Sequence, residues 1–252
     1  MEQLLPSLNV FKARVNLGTY DQLLDIIADR IETQKSLCVD TSNTVVLSLA
    51  ATDNNFQEAL KSFDLLLPDS RPLLWYLQLL GGNIRDTCYG PETTLRVWHR
   101  FSGSNKFLII GSNKKTERAF EIKFSKPARW ITEKVDPEDK GNMKWLQQEI
   151  ELIDPDIIFL ALGCPKSYFV LQQIKHTIKR AVVIHVGGSF DLISGSKKIT
   201  PIWLQRLGLG WLYRLIQEPK RLWKRYLKFN TLFILCVCRY FLSDRKKVRQ
   251  QS

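Results

Sequence analysis

The sequence is poor in the residues that build disulfide frameworks. Its 252 residues include five cysteines, Cys38, Cys88, Cys164, Cys236 and Cys238, and no C-x-x-C pair. So few cysteines without paired spacing are typical of reduced thiols in a cytosolic protein. We therefore expect the fold to depend on its apolar core and not on disulfides.

The sequence also lacks an apolar run long enough to cross a bilayer. Residues 229–242 form a run of about 14 residues that contains Arg239, whereas a transmembrane helix needs roughly 20. The first 15 residues lack the basic start and apolar run of a signal peptide. We therefore expect a cytoplasmic protein.

Acidic residues are scarce in one part of the chain. The net charge is +12, and residues 201–252 carry twelve Lys or Arg against two acids, Glu218 and Asp244, while residues 1–200 carry 25 basic and 23 acidic residues. A basic segment predicts an anionic partner, such as nucleic acid, anionic lipid or a phosphorylated ligand. We divide the chain into a domain of residues 1–200 and a basic appendage of residues 201–252.

Five apolar runs have the length and composition of strands. They span residues 36–42, 64–69, 106–112, 156–163 and 181–188, and each precedes a longer mixed segment. Continuous apolar strands alternating with helices predict a parallel sheet covered on both faces. The expected fold class is therefore α/β, with a Rossmann-like, mostly parallel sheet.

Small or hydrogen-bonding residues follow these five runs. In chain order they are Thr41 and Asn43; Pro68, Asp69 and Ser70; Gly111, Ser112 and Asn113; Gly163, Cys164, Pro165 and Lys166; and Gly187, Gly188 and Ser189. In open α/β sheets, ligands bind beyond the carboxyl ends of the strands, where glycine and free helix N–H groups accommodate phosphate. Each segment alone is compatible with an ordinary turn, but together they predict a nucleotide-type site.

The appendage has the pattern of amphipathic helices. Residues 200–217 predict one helix, and Pro219 suits the first turn of a second. Arg214, Arg221, Arg225 and Lys228 would share a face if Pro219 does not break the helical phase. Trp, Tyr and Leu interleaved with Lys and Arg favour a helix in the membrane interface, and the alternative is a basic helix packed on its own domain.

Several motifs together resemble the WecG/TagA/CpsF family of bacterial glycosyltransferases, over about residues 39–233. The longest match, VGGSFDLISGSKKITPIWLQRLGLGWLYRLIQEPKRLWKRYL, covers residues 186–227. It is similar to the family's Gly-Gly-x-Phe-Asp segment and the Pro-x-Trp, Gln-Arg-Leu-Gly and Glu-Pro-x-Arg series. TSN at residues 41–43, LPDS at 67–70 and LGCPKS at 162–167 resemble shorter family motifs.

The resemblance implies transfer of a sugar, usually from a UDP-sugar, to a sugar carried on a polyprenyl pyrophosphate. The reaction would take place at the inner face of the membrane, in the synthesis of a cell-surface polysaccharide. The appendage would then contact the lipid carrier and an anionic, peripheral membrane surface. A homo-oligomer is compatible with this expectation.

Asp69 is the predicted general base. Sugar transfer needs a proton removed from the attacking hydroxyl, and burial beside leucines would raise the pKa of a carboxylate and strengthen it as a base. The family's Pro-Asp element implies the same role for Asp69, with Thr41 in the same catalytic pocket. The alternative is that Asp69 only caps the helix that begins near Arg71.

The remaining predicted site residues fall into a donor group and an acceptor group. The donor group is Asn43, Gly111, Gly163, Lys166, Gly187, Gly188 and Asp191. The acceptor and membrane group is Arg214, Arg221, Lys224 and Arg225, because guanidinium and ammonium groups bind pyrophosphate and anionic headgroups. Alternatives are turn chemistry for Thr41 and Asn43, a solvated side chain for Lys166 and a structural role for Asp191.

We expect no metal ion and no cofactor. His99, His176 and His185 lack ligand spacing, and the D-x-D string of residues 154–156 precedes a predicted strand, which places it at the wrong end of the sheet. Backbone N–H groups and arginines would then stabilise the departing UDP.

Several positions depart from the family pattern on the donor and catalytic side. Ser70 stands where Gly is usual, Ser167 and Tyr168 replace a Gln-Glu pair, and Thr87 replaces an Arg for which Arg85 could substitute. These changes indicate an altered donor sugar or, as a rival interpretation, an inactive binding subunit of an assembly complex. A nucleic-acid-binding protein is a second rival, disfavoured by the apolar residues between the cations of the appendage.

Overall fold

The computed structural model describes residues 4–126 and 128–249, with side chains to residue 240. Its strands are β1 (Ser7–Val10), β2 (Ala13–Asn16), β3 (Leu37–Ser42), β4 (Leu65–Pro68), β5 (Phe107–Gly111), β6 (Arg129–Ile131), β7 (Ile157–Ala161) and β8 (Val182–His185). Its helices are α1 (Tyr20–Glu32), α2 (Thr44–Thr52), α3 (Asn54–Leu60), α4 (Arg71–Leu79), α5 (Gly90–Phe101), α6 (Lys114–Phe124), α7 (Lys140–Ile153), α8 (Lys166–Ile174), α9 (Ser189–Ile193), α10 (Ile202–Arg206), α11 (Gly210–Gln217) and α12 (Pro219–Arg249).

A six-stranded parallel sheet organises the body of the protein. Its strand order is β4–β3–β8–β7–β5–β6, and every neighbouring pair is parallel. The five predicted strands are therefore confirmed, as is the α/β class. The sheet places the carboxyl ends of β3, β4, β5, β7 and β8 along one edge, where the predicted site residues follow.

The sheet has an apolar layer on each face, as expected for strands that are apolar throughout. Successive residues of β5 alternate between the two layers: Leu108 and Ile110 belong to one, and Phe107 and Ile109 to the other. All four side chains are buried. A rigid sheet covered on both faces holds the ends of its strands in fixed positions.

The sequence did not predict three strands. β6 has only three residues, and the antiparallel hairpin β1–β2 has four residues in each strand. Phe11, at the tip of the hairpin, packs its ring against Tyr76 of α4 and Phe233 of α12. The hairpin thus joins the first residues of the chain to the last long helix.

The appendage differs from the predicted pair of continuous helices. Residues 200–217 form two helices, α10 and α11, because the chain turns at Gly208. Between α11 and α12, Glu218 has φ −133° and ψ 58°, so the helical phase is broken there. The condition under which Arg214 would share a face with Arg221, Arg225 and Lys228 is therefore not met, while the last three lie together on α12.

The long helix α12 packs on α2 through part of its surface. Leu222 and Phe233 are buried, and the hydroxyl of Ser48 in α2 donates to the carbonyl of Phe229 at 3.3 Å. The first part of the appendage is thus joined to the apolar core, while the division at residue 200 stays a prediction. In the described residues, no helix combines the length and apolar character needed to cross a membrane.

Gly208 provides a test of how α10 and α11 are held. Its φ of +72° lies in the left-handed region, and a Cβ there would lie 2.6 Å from the Trp75 ring of α4. Gly208→Ala is therefore expected to lower the free energy of unfolding by about 1–2 kcal/mol. Urea unfolding measures the change, and Gly103→Ala is the matched control, because a Cβ there meets no atom within 4 Å. Equal effects of the two substitutions would contradict the prediction.

Candidate active site

Asp69 lies where β4 ends and the chain turns into α4. Its backbone N–H donates to the carbonyl of Ser42 at 2.7 Å, which ties it to the end of β3. Its carboxylate Oδ1 accepts the N–H of Gly90, the first residue of α5, at 2.8 Å. The N-cap of α4 is Ser70, so the alternative that Asp69 caps α4 is wrong. Asp69 instead binds the amino end of a helix 21 residues further along the chain.

Burial raises the pKa of Asp69 to about 6. The Gly90 N–H and the positive charge of Arg214 oppose this rise, the negative charge of Asp40 adds to it, and His185 lowers the pKa slightly. The predicted direction of the shift is therefore confirmed. The side chain keeps partial exposure to solvent, so a hydroxyl group could approach it.

Arg214 of α11 brings a positive charge from the appendage to this carboxylate. Its guanidinium Nη2 lies 3.4 Å from the hydroxyl of Tyr89, the residue before α5. Both side chains are only partly exposed, and each interacts electrostatically with Asp69. The appendage thus forms one side of the Asp69 site.

Thr41 lies beside the same helix end. Its hydroxyl donates to the carbonyl of His185 at 3.2 Å, and a Cβ at Gly90 would lie 3.4 Å from that hydroxyl oxygen. Asn43 uses its side-chain oxygen to cap α2 by accepting the N–H of Val45 at 3.0 Å. Asn43 therefore has the local structural role that the alternative interpretation supposed. Thr41 lies beside Gly90, which binds the carboxylate of Asp69.

A polar cavity of about 320 Å³ lies at the carboxyl ends of β5, β7 and β8. Its lining residues are Gly111, Ser112, Asn113, Thr132, Glu133, Lys134, Val135, Ala161, Leu162, Lys166, Gly187, Gly188, Phe190 and Asp191. Five of the seven predicted donor residues are among them, and Asn43 and Gly163 are not. Its volume lies at the lower end of the range of small-molecule sites, which is about 300–1,000 Å³.

Asp191 has structural partners in this cavity. Its carboxylate accepts the hydroxyl of Thr116 at 3.0 Å and pairs with Lys197 at 3.0 Å. Lys197 also pairs with Glu218, at the junction of α11 and α12, at 3.1 Å. Asp191 therefore makes the structural interactions that the alternative interpretation supposed, and it also lines the cavity.

The four predicted acceptor cations occupy two different environments. Arg214 and Arg225 are partly buried, and Arg225 faces Cys164 and Tyr168 near the ends of β7 and β8. Arg221 and Lys224 are exposed: Arg221 pairs with Glu218, and Lys224 lies over the ring of Trp223. The break at Glu218 separates Arg214 from the other three, and on α12 Arg225 is partly buried while Arg221 and Lys224 are exposed.

The residues that depart from the family pattern also have defined positions. Tyr168 is fully buried and donates its hydroxyl to Asp40 at 2.9 Å, and Ser167 is buried beside it. Arg85 is exposed, and the guanidinium that acts on Asp69 belongs to Arg214. Tyr168 therefore faces the interior of the protein, whereas the family pattern predicted a position on the donor side.

The D-x-D string lies at the opposite end of the sheet from Asp69, as predicted. Asp154 and Asp156 precede β7, and both pair with Arg180, at 2.5 and 3.4 Å. Over residues 4–126 and 128–240, no three His, Cys, Asp or Glu side chains are grouped to hold a metal ion.

Four residues at the site were not predicted from the sequence: Asp40, His185, Tyr89 and Gly90. Asp40 and His185 carried a usable signal, because each is a polar residue inside an otherwise apolar strand. Tyr89 and Gly90 belong to a segment without a distinctive pattern, and only the fold brings them to Asp69.

Comparison with known proteins identifies the family of this chain. The model of the glycosyl transferase WecG/TagA/CpsF family matches residues 8–247. The N-acetylglucosaminyldiphosphoundecaprenol N-acetyl-beta-D-mannosaminyltransferase of Bacillus subtilis (strain 168) is 30% identical over 205 residues, which are 75% of this chain and 74% of that protein. The enzyme of the same name from Bacillus spizizenii is 27% identical over 206 residues, 78% of this chain and 77% of that protein. The chain therefore belongs to the WecG/TagA/CpsF family and is a glycosyltransferase.

Proposed function

We propose that the protein transfers an N-acetylhexosamine from a UDP-sugar to a hydroxyl group of a sugar carried on a polyprenyl pyrophosphate. The observation that carries the proposal is Asp69, a carboxylate with a raised pKa at the carboxyl edge of the sheet, beside Arg214. The names of the two Bacillus relatives support a lipid-diphosphate acceptor and an N-acetylhexosamine donor.

In the proposed reaction, Asp69 removes the proton of the acceptor hydroxyl as its oxygen attacks the anomeric carbon of the donor. The new C–O bond forms while the bond from that carbon to the β-phosphate of UDP breaks, and UDP leaves with the electron pair. A carboxylate with a pKa of about 6 is ionised at neutral pH and is a stronger base than an ordinary aspartate.

The donor nucleotide would occupy the cavity at the ends of β5, β7 and β8. Gly187 and Gly188 expose backbone there, and Lys166 supplies a positive charge in the cavity lining. Arg214 would neutralise phosphate charge on the Asp69 side, because guanidinium groups bind phosphate oxygens in pairs. These groups would stabilise the departing UDP.

The appendage supports attachment to a membrane surface. Large apolar side chains are exposed along it: Ile202, Trp203, Leu207, Trp211, Leu212, Ile216, Trp223, Leu227, Ile234 and Leu235. The cations Lys220, Lys224 and Lys228 are exposed in the same segment. Exposed Trp and Leu beside Lys favour the interface of an anionic bilayer and disfavour a nucleic-acid duplex. We place the reaction at the inner face of the membrane.

The proposal is tested by incubating the purified protein with each of several UDP-sugars and a short-chain polyprenyl pyrophosphate that carries N-acetylglucosamine. We expect release of UDP, with formation of a lipid-linked disaccharide, for a UDP-N-acetylhexosamine. Release that does not need the acceptor, or no release with any donor, would contradict the proposal. The second result would favour an inactive binding subunit.

The raised pKa of Asp69 also predicts a pH dependence. The base works only when ionised, so kcat/KM should fall as the pH drops through about 6 and should level off above it. The measurement is kcat/KM for the acceptor between pH 4.5 and about 8.5, in steps of roughly half a unit, across the range where the carboxylate titrates. A rate that stays constant down to pH 4.5, about the pKa of an ordinary carboxylate, would contradict the prediction.

A further inference from the structure

A buried polar network lies next to the proposed base. Asp40 of β3 and His185 of β8 face each other in the register of the two strands, and His185 Nδ1 lies 2.6 Å from Asp40 Oδ1. The hydroxyls of Tyr168 and Ser42 also donate to the Asp40 carboxylate. Asp40 and Tyr168 are completely inaccessible to solvent, and His185 is 6% exposed.

The network is bonded to the Asp69 site at two points. Ser42 donates its hydroxyl to Asp40, and its carbonyl accepts the backbone N–H of Asp69 at 2.7 Å. Thr41 donates its hydroxyl to the carbonyl of His185. Movement of Asp40 or His185 would therefore displace the strand ends that hold the proposed catalytic residues.

Packing alone does not require these polar groups. The ring of Tyr168 already packs on Phe56 and Phe63, with centroids 4.7 and 5.1 Å apart. Apolar residues of similar volume usually fill such a space at no loss of stability, because desolvating a carboxylate is unfavourable. A buried carboxylate in a strand of the central sheet therefore indicates a role besides packing.

His185 has a ring nitrogen that lies close to Gly187 and is without a partner in the part of the chain that the structure describes. Its Nε2 is buried and has no hydrogen-bond partner among the described residues. A Cβ at Gly187 would lie 3.8 Å from this nitrogen, and Gly187 lines the cavity.

We propose that Asp40 and His185 form a positioning pair that fixes the strand ends around Asp69 and sets the pH at which this base works. The inference rests on the proposed function, since it assigns Asp69 the role of base. Neither residue of the pair is expected to contact the substrate. The pair would hold Asp69 in place through its bonds to Ser42 and Thr41, and it would change the pKa of Asp69 through its charge.

The charges around Asp69 give the two residues opposite effects. Asp40 raises the pKa of Asp69 because two negative charges repel, and the electrostatic interaction with His185 lowers it. The other ionisable groups that face Asp69 are Arg214 of α11, Tyr20 of α1, and Cys88 and Tyr89 before α5. Cys164 interacts electrostatically with Asp40, and Arg225 interacts with Cys164 and Tyr168.

The test compares Asp40→Asn and His185→Gln with the wild-type protein. The titration of the Asp69 carboxyl is followed by NMR of protein labelled with ¹³C at aspartate side chains, with Asp69→Asn identifying the signal. We expect Asp40→Asn to lower and His185→Gln to raise the pKa of Asp69, each by about half a unit or more. The acid limb of kcat/KM should move in the same two directions.

Asp64→Asn is the matched control. Asp64 is a partly buried carboxylate at the amino end of β4, paired with Lys175 and bonded to the N–H of Cys38, so its loss should lower stability without moving the Asp69 titration. Shifts in the same direction for both variants, or shifts no larger than in the control, would overturn the proposal. His185→Gln alone decides the question if Asp40→Asn does not fold.

The NMR measurement separates this proposal from the proposed function. It needs no substrate, so opposite shifts of the Asp69 titration support the pair even if Asp69→Asn keeps full turnover. That combination would retain the electrostatic link and overturn the assignment of Asp69 as base.

Discussion

Replacement of Asp69 by Asn is expected to lower kcat for sugar transfer by about 10²- to 10⁴-fold, the usual contribution of a general base. The amide oxygen of Asn can still accept the N–H of Gly90, which Asp69 accepts at 2.8 Å. The geometry of the α5 end would then be kept, while the ability to take a proton is lost. Rates of UDP release under saturating donor and acceptor measure the effect.

The same variant should be at least as stable as the wild-type protein at neutral pH. The pKa of Asp69 is raised in the folded state, from an ordinary value of 3.8 to about 6. The stability gained by binding this proton is therefore present below pH 3.8 and is lost as the pH rises through about 6. At pH 7.5 the folded protein holds an unfavourable, partly buried charge, which Asn removes. Thermal unfolding at about this pH checks the prediction.

Asp86→Asn is the control for both measurements. Asp86 lies three residues before Tyr89 and is exposed, and it pairs with Arg71 at 2.9 Å. We expect this variant to keep a rate close to that of the wild type. An equal loss in the two variants would show that the effect comes from the loop and not from the carboxylate of Asp69.

Replacement of Arg214 by Met is expected to lower kcat/KM by about 10- to 100-fold, the cost of losing a charged hydrogen bond to phosphate. The apolar stem of Met keeps the contact volume beside Tyr89, which Arg214 reaches at 3.4 Å. The pKa of Asp69 should also rise, because the positive charge of Arg214 lowers it. The acid limb of kcat/KM should therefore move to higher pH.

Arg206→Met is the matched control for Arg214. Arg206 is an exposed arginine on the neighbouring helix α10, so its loss removes the same charge without removing a contact at the site. Arg214→Lys should recover part of the lost rate, because Lys retains the charge without the paired donors. Equal losses for Arg206→Met and Arg214→Met would contradict a local role for Arg214.

The sheet could be predicted because its signal is local. Each central strand, such as Ile157–Ala161, is an apolar run bounded by polar residues, and burial on both faces requires that pattern. The hairpin β1–β2 and the strand β6 could not be predicted, since runs of three or four residues do not differ from loops. The division of the appendage at Gly208 and Glu218 depends on packing against α4 and on Lys197, which spacing does not show.

The candidate site was predictable where it follows a strand. Asp69, Thr41 and the glycines of the cavity all lie at or just beyond the carboxyl ends of β-strands, and the parallel sheet brings these segments to one edge. Gly90, Tyr89 and Arg214 could not be assigned to Asp69 in advance, because their contacts join segments far apart in the chain. Sequence spacing also grouped Arg221 with Arg214, although the break at Glu218 places them on two different helices.

The most direct test of the central claim is the pH profile of acceptor-dependent transfer in the wild-type protein and in Asp69→Asn. We predict a wild-type kcat/KM that decreases below a pKa of about 6, and a much lower rate without this decrease in the variant. An Asp69→Asn protein that is folded and shows the wild-type rate with the same acid limb would contradict the assignment of Asp69 as the base.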